Sequence, residues 1–213
     1  MKLLIINGSP HGEKGNTGIF ITQFVKGMKE IPMVSSIQKE NPEVIAEKIK
    51  KFDTVLIVMP LYVHAMPGPV MKLFEKLNVQ NTENKSLGCI VQMGFAGSAH
   101  ADYARRCMKQ QAKRLHMKYL GTAARCGAAG TSTVPDFMNR KLFKNLEKLG
   151  SYFQETGTLH KETVQKLAKP YKLTKSQCRF YQFLCKTGVD HIMWNKMLRD
   201  NNAYENRLDQ PFA

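Results

Sequence analysis

The chain has 213 residues, 43% hydrophobic and 23% charged, which is enough apolar material for one α/β domain with an appendage and too much for a disordered chain. Lys and Arg number 32 against 17 Asp and Glu, a formal net charge of +15, with 18 of the basic residues before Pro135 and 14 after it. A field of that sign attracts anions without choosing among them, but the spread-out excess and the lack of a DNA- or RNA-reading motif argue against a nucleic-acid module.

Residues 2–7 (KLLIIN) are a short apolar run closed by Gly8-Ser9-Pro10, which predicts a buried strand. Phe20, Ile21, Phe24, Val25 and Met28 recur at helical spacing over 17–29, with Asn16 or Thr17 as the expected cap. A short second strand is expected over 33–37. A helix follows from Pro42, which suits a first turn, with Val44, Ile45, Ile49 and Phe52 on one face. Residues 53–59 (DTVLIVM) read as the clearest buried strand, stopped by Pro60. A Pro/Gly-rich loop then leads to a helix over 69–77. Residues 87–93 predict a fourth strand, Gly94-Phe95-Ala96-Gly97 a loop, 101–116 a basic helix, and 119–125 a weaker fifth strand.

Strands alternating with helices in this way predict a parallel sheet covered on both faces. After Thr133 the pattern is helical only: a long amphipathic helix from Pro135-Asp136, then segments near 161–168, 174–187 and 189–199. Residues 1–157 are expected to form the sheet domain, and 158–213 a helical extension packed on it or on a dimer partner. The five cysteines are widely spaced with no CxxC pair, which argues against a disulfide framework or a metal site. The opening MKLLIINGSP is too short for a secretory signal. No apolar stretch approaches the ~20 residues that span a bilayer, so a cytoplasmic protein is expected.

Three loops stand where chemistry is expected. The first, from Gly8 to Thr17 (GSPHGEKGNT), lies between a strand and a helix, where backbone N–H groups converge on an anion. Lys14 precedes Gly15, so it is not a Walker loop, and it has no Gly-x-Gly, so it is not the dinucleotide fingerprint. The second runs from Pro60 to Gly68 and carries Tyr62 and His64; the third is 94–98. Both follow strands at their carboxyl ends, where open α/β sheets bind ligands.

The text GSPHGEKGNT followed by DTVLIVMPLYVHAMPGPVMKLFEKL resembles the NAD(P)H-dependent FMN reductase family over roughly residues 1–130. The resemblance implies a flavodoxin-like three-layer sandwich with a five-stranded parallel sheet in the order 2-1-3-4-5. It also implies FMN as cofactor, NADH or NADPH as donor, and a small acceptor such as a quinone, a nitro or azo compound, or a flavin. Ser9, Gly15, Asn16 and Thr17 would hold the FMN phosphate, with His11 where many relatives carry Arg. Pro60, Leu61, Tyr62 and Val63 would line the ribityl chain and ring, with Gly94 and Phe95 on another side.

No catalytic acid or base is assigned. His64 is a candidate proton donor, against the plainer reading of a polar surface group. A flavodoxin-type electron carrier without NAD(P)H turnover is the alternative, and the +15 charge counts against it because such carriers are usually acidic. The aromatic and basic segment 171–194 is expected to pack on the main domain or in a homodimer, in preference to a membrane surface.

Overall fold

Every residue of β1 (Leu3–Asn7) and of β3 (Thr54–Pro60) is buried, as continuous apolar runs require of strands covered on both faces. In this computed structural model, which describes residues 1–209, they form the centre of a five-stranded sheet with β2 (Met33–Ser36), β4 (Ser86–Gln92) and β5 (Lys118–Arg125). The order is β2-β1-β3-β4-β5 and every pairing is parallel, as expected.

Side chains alternate across the sheet. Leu4, Ile6, Val55, Ile57 and Met59 face a core shared with α2 (Pro42–Ile49), α3 (Gly68–Lys76) and α5 (Asp102–Arg114). Leu3, Ile5, Leu56 and Val58 face a second core shared with α1 (Asn16–Lys26), α6 (Asp136–Thr156) and α7 (Lys161–Leu167).

Several boundaries differ from the sequence expectation for local reasons. The first helix ends at Lys26, because Gly27 N–H caps the carbonyls of Phe24 and Val25. A four-residue helix, α4 (Val79–Thr82), was not expected; Asn78 starts it by accepting a hydrogen bond from Asn81 N–H. The first compact unit runs from Met1 to Lys172, beyond the expected break at Gly157. Leu159 and Leu167 join the second core, and the carbonyls of Pro170 and Tyr171 accept from Ser98 and Ala99 N–H at 3.0 Å each.

The second unit begins at Leu173. It holds α8 (Lys175–Thr187), started by a capping box at Thr174, and α9 (Val189–Asp200), joined through Gly188 at φ 71°. None of the residues of α8 is buried.

In the first unit α1 and α6 touch backbone to backbone. A Cβ on Gly150 would lie 1.8 Å from the Phe24 carbonyl oxygen, and one on Gly27 1.9 Å from that of Glu147. The rings of Phe24 and Phe153 meet edge to face beside this contact, 5.8 Å between centroids. Gly150→Ala is therefore expected to cost about 1–3 kcal/mol of stability through overpacking, read as a lower urea midpoint. An unchanged midpoint would show that the two helices do not press together.

Candidate functional site

The loops that follow β1, β3, β4 and β5 lie at one end of the sheet, the carboxyl end of its strands, because all the strands run parallel. In the first, Asn7 organises the backbone: its Oδ1 accepts from Ser9 N–H at 3.0 Å and its Nδ2 donates to the Gly12 carbonyl at 3.0 Å. Ser9 is buried, and its Oγ accepts from His11 N–H at 3.2 Å. Gly12 turns the chain at φ +62°, where a Cβ would meet the Gln38 side chain at 2.2 Å.

Gly15 is extended and forms the N-cap of α1 without any side-chain capping bond. A Cβ there would lie 3.3 Å from His11 Cβ and 3.8 Å from Ser9 Oγ. The first N–H groups of an 11-residue helix therefore open onto a small cradle beside a buried hydroxyl. This is the geometry in which backbone donors and the helix dipole hold an anion.

The side chains of Asn16 and Thr17 do something other than cap. Asn16 Nδ2 donates to the carbonyls of Ala128 at 2.8 Å and Ala129 at 3.1 Å, while its Oδ1 accepts from Ser132 N–H at 2.9 Å. The amide thus clamps the loop after β5 to the start of α1. Thr17 is buried, with Oγ1 3.4 Å from Gln92 Nε2. The expectation that either residue caps the helix is corrected: Asn16 braces the loop after β5 and Thr17 the last residue of β4, which leaves backbone N–H groups at the helix start without a side-chain cap. His11 is exposed at its rim.

In the second loop Pro60 and Leu61 are buried, and Leu61 N–H bonds the Gln92 carbonyl at 2.9 Å. Tyr62 and Ala65 exchange both backbone hydrogen bonds, at 3.1 and 2.9 Å. They enclose a two-residue turn in which Val63 (φ 46°) and His64 (φ 66°) are both left-handed. Tyr62 is 42% exposed and Val63 is 85% exposed, so both are available to a ligand. Partial burial raises the Tyr62 hydroxyl above its ordinary pKa.

The third loop is tied to the fourth. Ala128 N–H bonds the Met93 carbonyl and Gly127 N–H the Phe95 carbonyl, each at 2.8 Å, and a Cβ on Gly94 would lie 3.3 Å from Ala129 Cβ. Phe95 stacks on His100 at 4.4 Å and on His64 at 5.4 Å, while His64 Nδ1 lies 3.3 Å from the His100 carbonyl oxygen. Tyr103 meets His64 edge-on, with Arg106 4.7 Å above its ring.

The loops carrying Ser9, Gly15, Asn16, Thr17, Tyr62, Val63, Gly94 and Phe95 are therefore joined through shared contacts. Sequence reasoning missed the loop after β5 and the ring cluster to which His100 and Tyr103 contribute. The signal for the former was Gly127-Ala128-Ala129-Gly130, small residues after a strand like those in the other loops. A separate cleft of about 410 Å³, lined by Leu3, Met33 and Phe52 among others, lies around the amino-terminal residues of β1 and β2. Open α/β sheets bind at the opposite end, which makes the carboxyl-end loops the candidate site.

A family model described as NADPH-dependent FMN reductase matches residues 1–128. Among solved structures, the chain is similar in fold to an NADPH-quinone reductase from P. pentosaceus (TM-score 0.57, 19% identity, covering 70% of this chain and 96% of that one). It is also similar to general stress protein 14 from Treponema denticola, solved in complex with FMN (0.56, 13%, 73% and 98%). A third is an FMN-dependent NADH-azoreductase from Bacillus anthracis, also with FMN (0.51, 13%, 72% and 100%). No curated protein matches the chain significantly.

The turn at Val63-His64 is strained. Left-handed backbone costs a residue with a Cβ about 1–2 kcal/mol, a β-branched residue suits it least, and two-residue turns of this kind favour Asn-Gly. Val63→Asn is expected to raise stability by about 1 kcal/mol, measured by chemical unfolding. Unchanged or lower stability would show that the turn stores no strain.

Proposed function

The chain belongs to the NADPH-dependent FMN reductase family, and from that premise we propose that the carboxyl-end loops hold FMN and expose it to a nicotinamide donor and a small acceptor. The observation that carries this reading is the uncapped start of α1 beside Ser9 Oγ. The backbone N–H groups of Asn16 and Thr17 and the Ser9 hydroxyl would hold the phosphate. Gly15 leaves room for it, and His11 stands at the rim. FMN held there would supply the two-electron redox chemistry that links nicotinamide and acceptor.

The chain's own residues position and shield. Pro60, Leu61, Tyr62 and Val63 would form one wall, built on a turn whose paired hydrogen bonds hold its shape. Gly94 and Phe95 would form another, steadied by the ring stack behind Phe95. A rigid wall loses little entropy on clasping a flat ring. His64 is engaged with Phe95 and His100, so its role in this reading is to hold the wall. A quinone, a nitro or azo compound, or a free flavin is the acceptor class. The flavodoxin-type carrier remains the alternative, and NADPH turnover separates the two.

No helix among the described residues is long and apolar enough to cross a membrane. We propose a cytoplasmic location, where widely spaced cysteines stay reduced. We also propose a homodimer. Phe180, Phe183, Ile192 and Trp194 are 58–67% exposed, and large apolar side chains gathered on one helical segment call for a covering surface. Light scattering at micromolar concentration is expected to give twice the monomer mass; a monomer would contradict this.

The purified protein is expected to be yellow and to oxidise NADPH in the presence of a quinone. Tyr62→Ala should raise the FMN dissociation constant about fivefold, the loss of one aromatic contact, with an unchanged circular dichroism spectrum. An affinity equal to that of the wild type would remove Tyr62 from the flavin wall.

A further inference from the structure

A cleft of about 510 Å³ opens between the end of β5, the first half of α6 and the end of α7. Four of its lining residues are cationic (Arg125, Lys141, Lys166 and Lys169), two are the amides Asn139 and Asn145, and none is a carboxylate. Lys166 is partly answered by Glu162 at 2.7 Å, in a pair about half exposed on each side. Arg125 is not answered: its Nε is buried and has no hydrogen-bond partner among the described residues.

A buried guanidinium donor without an acceptor is unfavourable, and such groups are nearly always satisfied in folded proteins. Like charges gathered around one cleft add mutual repulsion, which an anion between them would reverse. We propose that this cleft binds a phosphoryl group. Arg125 supplies the planar fork of donors that matches phosphate geometry, and the lysines act as flexible point charges around it. Asn139 is held in place by donating from Nδ2 to the Thr131 carbonyl at 2.9 Å. Met138 and Leu142 add an apolar wall for an organic body attached to the phosphate, and the volume suits a nucleotide fragment.

Two sources share this chemistry: the 2′-phosphate end of NADPH, and a separate phosphorylated metabolite. Only the first rests on the proposed function; the cleft itself is argued without it.

Calorimetry on FMN-loaded protein, with inorganic phosphate and with adenosine 2′,5′-bisphosphate, tests the site. Arg125→Gln is expected to weaken both about tenfold, the loss of one charge-assisted hydrogen bond. Lys141→Gln/Lys169→Gln, both on the exposed rim, should weaken them without disturbing the fold. A raised KM for NADPH but not for NADH in these variants supports the site and identifies the dinucleotide as its ligand. Weakened phosphate binding with unchanged KM values supports it for a separate phosphorylated molecule. Wild-type protein that binds neither probe, or equal affinities in all three proteins, overturns the proposal. Failure to retain FMN or to oxidise either nucleotide would instead sink the flavoenzyme reading, and the phosphate titrations would still report on the cleft.

Discussion

The carboxamide of Asn16 joins two segments more than 110 positions apart in the chain, and the arrangement of the site depends on it. Three hydrogen bonds from one side chain hold Ala128, Ala129 and Ser132 against the start of α1. Those residues belong to the loop that in turn holds Met93 and Phe95 through backbone bonds. Phe95 then stacks on His100 and His64, which fixes the turn after β3. Position is thus passed from the phosphate-loop helix through the loops after β5 and β4 to the loop after β3. An amide suits this task because it donates twice and accepts once with no charge to desolvate. A carboxylate could not make the two donor bonds.

Much of the fold was legible because its signals are local and strong. The runs at 2–7 and 53–59 have no polar interruption that a half-exposed strand would need, and both became fully buried strands. Helix ends were less legible. Gly27 stops α1 where apolar periodicity would carry it on to Met28, because its N–H turns to the carbonyls of Phe24 and Val25. The break at Gly157 looked like a domain boundary because helices alone follow it. Leu159 and Leu167 nevertheless complete the core over α6, a tertiary fact that no local pattern announces.

At the site, sequence reasoning found the strand-loop-helix settings but not what each side chain touches. Asn16 and Thr17 read as caps because polar residues at a helix start usually are; long-range partners took their side chains instead. The strain at Val63-His64 was hidden for the opposite reason. A β-branched residue carries no signal for a left-handed turn, and only the positive φ angles of Val63 and His64 reveal it. Strain of this kind persists where neighbouring contacts over-determine the backbone, and here the ring stack on His64 supplies them. The positive charge, diffuse in the sequence, gains a local focus around Arg125.

The uncapped start of α1 with Ser9 is proposed as a phosphate cradle. Titration of apoprotein with FMN and with riboflavin, followed by quenching of flavin fluorescence, tests it most directly, because the two ligands differ only in the phosphate. FMN is expected to bind at least about a hundredfold more tightly, the contribution of two or more charge-assisted hydrogen bonds. Equal affinities for the two flavins would contradict it.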